Sequence, residues 1–189
     1  MNELGKHYPF THISSQNIPI LRVLVVYATK HNATAEIAHV IGETLRQTNL
    51  LQVDIEQVEN VQDITPYGVV IVGSAVYMAQ WQPAAAQFLK KHQQELAQRL
   101  VWLFSSGPIG EGDPKSLMKG WMFPEALQPI VDQIKPHDIM LFHGKLDRDW
   151  LNIFEKAAVK FVGSSIGDSR DWNMIRNWAK GIAEVLIPA

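Results

Sequence analysis

The chain has 189 residues, of which 47% are hydrophobic and 19% charged, and its formal net charge is −2. This length and composition are typical of one globular domain with a single core, and the small net charge argues against a nucleic-acid-binding surface. The sequence has no cysteine, which excludes disulfides, thiolate catalysis and cysteine-ligated zinc or iron–sulfur sites.

The N-terminal stretch differs from the rest of the sequence. Residues 1–20 have no regular hydrophobic period and are predicted to form an arm, followed by one domain over 21–189. Met1–Asn17 is polar and interrupted by Pro9, so it lacks the pattern of a signal peptide. No run of about 18 apolar residues is present, and a spanning helix is therefore not expected. We expect a cytoplasmic protein.

Strands and helices are predicted to alternate along the chain. The continuous apolar run Val23–Val26 is typical of a strand buried on both faces of a parallel sheet, whereas Gln52–Val58 alternates as an edge strand does. Such alternation predicts a doubly wound parallel sheet with right-handed crossovers. The predicted strands are Leu21–Tyr27, Gln52–Val58, Gly68–Gly73, Leu100–Phe104 and Asp138–Phe142, and the predicted helices begin near Thr34, Pro83, Asp147 and Asp171.

A polar turn, Thr29–Thr34, separates the first strand from the first helix. It contains no glycine, so the G-x-G-x-x-G and G-x-x-x-x-G-K-[ST] nucleotide loops are both excluded. Hydroxyl groups and free backbone N–H groups at a helix N-terminus form an anion site. The turn therefore suits the terminal phosphate of a mononucleotide such as FMN. The alternative is that Thr29 and Thr34 merely cap the first helix.

Two further loops follow the third and fourth predicted strands, where ligands bind in sheets of this kind. The loops span residues 73–81 and 105–110, and small residues at their starts would let a flat ring approach the backbone. Tyr77 and Trp81 are candidates for stacking on an isoalloxazine ring. A packing role for Trp81 is equally open.

Four segments together resemble the flavodoxin-like family, over about residues 21–186. They are Tyr27–Lys30 with Thr34, Gly73–Tyr77, Ser105–Pro108 and Asp168–Trp172, and they occur in the family's order. Within this family the chain resembles the group of flavodoxin-domain proteins and menaquinone-dependent protoporphyrinogen oxidases. The resemblance implies an α/β fold, a flavodoxin-like three-layer sandwich in which helices cover both faces of a five-stranded parallel sheet.

The resemblance also implies FMN as the cofactor and assigns residues to it. The family's usual glycine in the phosphate turn is replaced by Asn32, the residue type that best tolerates the left-handed conformation after glycine. The implied phosphate contacts are Thr29, Lys30, His31, Asn32, Ala33 and Thr34, and the implied ring contacts are Ser74, Ala75, Val76, Tyr77, Ser105, Ser106 and Gly107, to which Trp81 is added as a stacking candidate.

No catalytic side chain and no metal site are expected, because the flavin would carry the chemistry. His31, His143 and Lys30 are expected to be solvated, and Asp171 is expected to cap the last helix.

Three roles are open: an oxidoreductase that passes electrons between a hydrophobic or aromatic substrate and a quinone, a one-electron carrier, and a domain without cofactor. A near-neutral charge and the absence of an aromatic residue at Pro108 and Ile109 favour the oxidoreductase. The amphipathic helix predicted over Asp147–Val162 could cover the domain, border a substrate site or touch a membrane surface. The oligomeric state is open.

Overall fold

The structure is a computed structural model, and it describes residues 20–147 and 167–187. The predicted arm, apart from Ile20, and the helix predicted over Asp147–Val162, apart from Asp147, lie outside the described residues. The comparison with the predicted elements is therefore confined to these two ranges.

The main sheet has the strand order β2-β1-β3-β5-β6 with all five strands parallel, and β4 pairs antiparallel with the end of β3. A two-stranded antiparallel ribbon, β7-β8, lies apart from it. In chain order the elements are β1 Leu21–Ala28, α1 Ala33–Arg46, β2 Leu51–Gln57, β3 Val69–Tyr77, β4 Gln80–Trp81, α2 Pro83–Leu96, β5 Leu100–Ser106, α3 Pro114–Leu117, α4 Gln128–Ile134, β6 Asp138–Phe142, β7 Lys145–Leu146, β8 Gly167–Asp168 and α5 Trp172–Leu186.

Both faces of the sheet are covered by helices, as the apolar run in β1 predicts. Val23 and Val25 belong to the core formed with α1 and α5, whereas Leu24 and Val26 belong to the core formed with α2 and α4. All four side chains are buried, because successive residues of a strand point to opposite faces. The predicted α/β three-layer arrangement is confirmed.

Two differences from the predicted elements matter for the site. β3 continues past Gly73 to Tyr77 and turns back through Met78 and Ala79 into β4. Residues 107–137, for which no element is predicted, contain α3 and α4. These helices have four and seven residues, too few for an apolar period to show.

Within the two described ranges, no helix is both long enough and apolar enough to span a membrane.

Candidate functional site

The turn between β1 and α1 lies at the carboxyl edge of the sheet. Its last residue, Asn32, has φ 59° and ψ −6°, which is the left-handed conformation, and the helix begins at the next residue. Asn tolerates this conformation better than other residues with a side chain, so the turn forms without glycine. The substitution of asparagine for the expected glycine thus leaves the turn intact.

The two threonines of this turn have no hydrogen-bond partner for their hydroxyl groups. Thr29 Oγ1 and Thr34 Oγ1 are both buried, and Thr34 is fully so. Neither caps α1, whose N-cap Asn32 also makes no side-chain capping bond. Buried polar atoms normally have partners, so these two hydroxyls at a helix N-terminus fit an anionic group such as the FMN phosphate.

Tyr77 at the end of β3 brings the second loop to the phosphate turn. Its ring centroid lies 5.1 Å from Lys30 Nζ and 6.4 Å from the ring centroid of His31. The first distance is that of a cation–π contact and the second that of an edge-on ring contact. The phosphate turn and the second loop therefore lie side by side, as their positions after adjacent strands predict.

Three predicted ring contacts are instead bonded to one another or to the backbone. Ser74 Oγ donates to the carbonyl oxygen of Ala75 and accepts from the backbone N–H of Gln82, both at 2.9 Å. Trp81 is 5% exposed, and its Nε1–H donates to Ser105 Oγ at 2.8 Å. A buried ring cannot stack on a bound flavin without leaving the core. Of the two roles open for Trp81, its burial and its hydrogen bond to Ser105 favour packing.

The third loop leaves β5 at Ser106, which is buried and pairs with Ala75 of β3. A Cβ on Gly107 would lie 2.9 Å from Val76 Cβ, so only glycine lets these two loops approach this closely. The resemblance implies that a flat ring would meet the backbones of these two loops here. Ala75, Val76, Ser106 and Gly107 are thus brought together at the carboxyl edge.

Arg170 lies beside the start of α1, a position that the sequence does not reveal. Its side chain is 2% exposed and pairs with Asp168 at 2.6 Å and with Glu36 of α1 at 2.9 Å. Its guanidinium also donates to the carbonyl oxygen of Ala33 at 3.1 Å and lies 4.4 Å from the ring centroid of Trp172. Hydrogen bonds from Arg170 hold the pKa of Asp168 below its usual value.

Two more features adjoin the third loop. Ser105 Oγ donates to the carbonyl oxygen of Met122 at 2.7 Å, which places the segment of Trp121 and Phe123, both partly buried, against the end of β5. His143 is 5% exposed, and its ring bonds to this loop. The expectation of a solvated His143 is therefore wrong, because its position directly after β6 places it beneath the loop.

The predicted capping role of Asp171 is confirmed. Its carboxylate accepts from the backbone N–H groups of Asn173 at 2.8 Å and Met174 at 3.0 Å, at the start of α5. A carboxylate here also interacts favourably with the helix dipole.

The geometry has the parts that FMN requires. Two partnerless hydroxyls and a helix N-terminus can take the phosphate, and backbone at the ends of β3 and β5 can border the ring. FMN, when bound, would supply the transfer of one or two electrons, and these residues would hold and orient it.

Comparison with known proteins agrees with this geometry. The sequence matches the family model described as the flavodoxin domain over residues 24–173. No curated protein sequence matches it significantly.

Similar solved structures include a flavodoxin from the domain Archaea, with 13% identity, coverage of 88% of this chain and 99% of that one, and a TM-score of 0.55. A Pseudomonas aeruginosa flavodoxin, solved as a cysteine-to-serine mutant, has 12% identity, coverage of 88% and 99%, and a TM-score of 0.54. Rubredoxin oxygen:oxidoreductase from Desulfovibrio gigas has 16% identity, coverage of 87% of this chain but 36% of that protein, and a TM-score of 0.55.

At these identities the solved structures support the fold, while the family match rests on the sequence itself. The match covers residues 24–173, which contain the phosphate turn and both ring loops. The chain belongs to the flavodoxin-domain family, and FMN is the cofactor of its site.

Proposed function

We propose that this FMN-binding redox protein is an oxidoreductase that passes electrons between a hydrophobic or aromatic substrate and a quinone-type acceptor. The observation that carries the proposal is the chemistry of the third loop. This loop has Pro108 and Ile109, both half-buried and neither of them aromatic. No aromatic ring from this stretch would therefore cover a bound flavin. An uncovered ring face leaves room for a flat apolar substrate.

Apolar groups near this face support the same function. Trp121 and Phe123 are partly buried beside the end of β5, and Met78, at the tip of the β3–β4 hairpin, is 97% exposed. Together with Ile109 they offer apolar surface at the carboxyl edge of the sheet. Such surface suits a hydrophobic donor or a quinone better than a highly charged protein partner.

Charge is the second support. A protein that shuttles electrons between partners gains speed from a strong field of one sign, and the net charge here is only −2. The alternative, a one-electron carrier, is favoured by the flavodoxins among the similar structures. The two functions predict opposite effects of salt and of the type of acceptor on the rate of electron transfer.

To test the proposal, the FMN-loaded protein is reduced anaerobically and mixed with a soluble quinone or with a basic electron-transfer protein. The rate of flavin oxidation is then measured. We expect fast oxidation by the quinone, nearly independent of salt, and slow oxidation by the basic protein. Fast transfer to the basic protein at low salt that collapses as salt rises, with slow transfer to quinone, would establish the carrier function instead.

A variant tests the open ring face directly. Ile109→Trp adds a large ring at the third loop and is expected to slow oxidation by quinone while FMN stays bound. The matched control is Ile130→Trp, a partly buried isoleucine on α4, away from the loops. Equal quinone rates in the wild type and Ile109→Trp, with FMN bound to both, would contradict the open-face proposal.

A further inference from the structure

The hydroxyl group of Ser105 is bonded to two segments that lie on either side of it in the sequence. Ser105 Oγ accepts a hydrogen bond from the indole Nε1–H of Trp81 at 2.8 Å and donates one to the carbonyl oxygen of Met122 at 2.7 Å. Trp81 belongs to the β3–β4 hairpin, and Met122 lies in the segment before α4. We call this chain of three groups the Ser105 bridge.

The direction of the two hydrogen bonds requires a hydroxyl group at this position. An indole N–H can only donate and a carbonyl oxygen can only accept, whereas a hydroxyl group does both with a single atom. Ser105 is fully buried and Trp81 is 5% exposed, so water does not readily replace these bonds. Loss of the hydroxyl would therefore leave one donor and one acceptor unsatisfied.

The Ser105 bridge lies on the face of the sheet that α2 and α4 cover. Leu103 belongs to that core, and because side chains alternate along a strand, Ser105 points to the same face. Trp81 is part of this core, and Trp121 and Phe123 pack against it while staying partly exposed. The bridge thus joins the hairpin to the aromatic side chains that the proposed function assigns to the substrate site.

The segment around Met122 depends on the bridge for its link to the sheet. The backbone N–H groups of residues 118–121 bond to carbonyl oxygens of residues 114–118, and that of Leu127 bonds to Pro124. Within the described part of the chain, the bond from Ser105 is the one hydrogen bond that connects residues 118–127 with a strand of the main sheet. Removing it would leave only apolar contacts to hold this segment against β5.

We propose that Ser105 is a positioning residue for the substrate, whose hydroxyl group holds residues 121–123 against the β3–β4 hairpin. This inference rests on the proposed function, because a hydrophobic donor or a quinone would bind beside these residues. Without the hydroxyl group, residues 121–123 are held less firmly and the apolar substrate binds more weakly. The phosphate turn, which lies after a different strand, keeps its structure.

Ser74 is the matched control for Ser105. The two residues pair in register on β3 and β5, and both are fully buried. The Ser74 hydroxyl also donates and accepts, at 2.9 Å in each case, but its partners Ala75 and Gln82 both belong to the second loop. Ser74→Ala therefore removes the same atom at the same depth and leaves the bond to Met122 in place.

NMR of the apo-protein tests the bridge without flavin or substrate. In Ser105→Ala, the indole N–H of Trp81 should exchange with solvent about tenfold faster, the factor of one typical hydrogen bond, and the amide signals of residues 121–123 should shift. Neither change is expected in Ser74→Ala, and Trp81→Phe assigns the indole signal. Unchanged amide signals of residues 121–123 in Ser105→Ala would overturn the proposal.

Kinetics with a soluble quinone test the effect on the substrate. In the FMN-loaded Ser105→Ala variant, we expect KM for the quinone to rise about tenfold while kcat and the affinity for FMN stay near the wild-type values. Ser105→Thr restores a hydroxyl group and should recover most of the wild-type KM. Ser74→Ala should keep the wild-type KM, and urea unfolding checks that the two alanine variants have similar stability.

The same measurements separate failure of this proposal from failure of the proposed function. Fast oxidation by quinone in the wild type, with the same KM in Ser105→Ala, would refute the positioning role and leave the proposed function standing. An equal rise of KM in Ser74→Ala and Ser105→Ala would also refute it, because the segment around Met122 would then not be responsible. Slow oxidation of the wild type by quinone would refute the proposed function, and the substrate role of Ser105 with it.

Discussion

The guanidinium of Arg170 donates a hydrogen bond to the carbonyl oxygen of Ala33 at 3.1 Å, although the two residues are 137 positions apart. Ala33 is the first residue of α1, directly after the phosphate turn. Arg170 thereby fixes the start of this helix against the segment that precedes α5. The arrangement links the segment before α5 directly to the residue that follows the phosphate turn.

Replacing Arg170 should lower the affinity for FMN more than the affinity for riboflavin. Arg170→Met removes a buried cation and leaves Asp168 and Glu36 without it, which should cost about 3 kcal/mol of unfolding free energy. Because the start of α1 is then less firmly held, the affinity for FMN should fall about tenfold more than the affinity for riboflavin. Urea unfolding and parallel flavin titrations measure the two effects.

The control for this prediction is Arg99→Met. Arg99 is also largely buried and donates to the carbonyl oxygens of Tyr67 and Glu95, but it lies at the amino edge of the sheet. The Arg99→Met variant should be less stable than the wild type, but its ratio of FMN affinity to riboflavin affinity should be unchanged. The same change of preference in both variants would show that general destabilisation, and not the position of α1, is responsible.

The partnerless hydroxyl of Thr34 gives a prediction with opposite signs for stability and binding. Thr34→Val removes a buried polar atom that has no partner, so the apo-protein should be unchanged or more stable. A lost hydrogen bond to a charged phosphate should cost about 1.5–3 kcal/mol of FMN binding, and riboflavin should be unaffected.

Thr44→Val is the matched control, because the buried Thr44 hydroxyl already donates to the carbonyl oxygen of Val40 at 2.7 Å in the same helix. It should leave the affinity for FMN unchanged. Equal affinity of FMN for the wild type and Thr34→Val would exclude Thr34 from the phosphate site.

The β3–β4 hairpin has a conformation that its sequence does not favour. Met78 and Ala79 have φ 50° and 56°, so both are left-handed, as in the two-residue turns that usually contain Asn-Gly. Met78→Asn with Ala79→Gly should stabilise the protein by about 1–2 kcal/mol and raise Tm by roughly 2–8 °C.

Asn49 provides the comparison, since it is left-handed at φ 56° and already of the tolerant type. Asn49→Gly should change Tm little. A hairpin variant that gains no stability would contradict the assignment of backbone strain to Met78 and Ala79.

The ion pair of Asp168 predicts an acid-dependent loss of stability. Hydrogen bonds from Arg170 lower the pKa of Asp168 in the folded protein, so folding favours the ionised carboxylate. The resulting contribution to the free energy of unfolding is fully present above the pKa of the unfolded chain, about 4. It is lost as pH falls through the lower pKa of the folded protein. Asp168→Asn should be less stable than the wild type at neutral pH, and the difference should shrink in acid.

Unfolding by urea at several pH values measures this effect. The control is Asp132→Asn, because Asp132 accepts an exposed hydrogen bond from Gln128 on α4. A stability difference for Asp168→Asn that stays constant from neutral to acid pH would contradict the assignment.

Much of the fold and the phosphate turn follow from local sequence. The apolar run Val23–Val26 requires burial on both faces, and the glycine-free turn with Thr29 and Thr34 excludes the common nucleotide loops. Even the conformation of Asn32 follows from residue type, because few side chains tolerate the left-handed region. Such features depend on neighbours along the chain, so sequence patterns reveal them.

Three features of the site were decided only by tertiary structure. Trp81 lies in the core because Ser105, 24 positions away, accepts its N–H, and His143 is buried because the third loop folds over it. Arg170 reaches Ala33 only because α1 and α5 pack on the same face of the sheet. Each depends on which distant carbonyl or hydroxyl lies within hydrogen-bond distance, and residue type alone does not determine that.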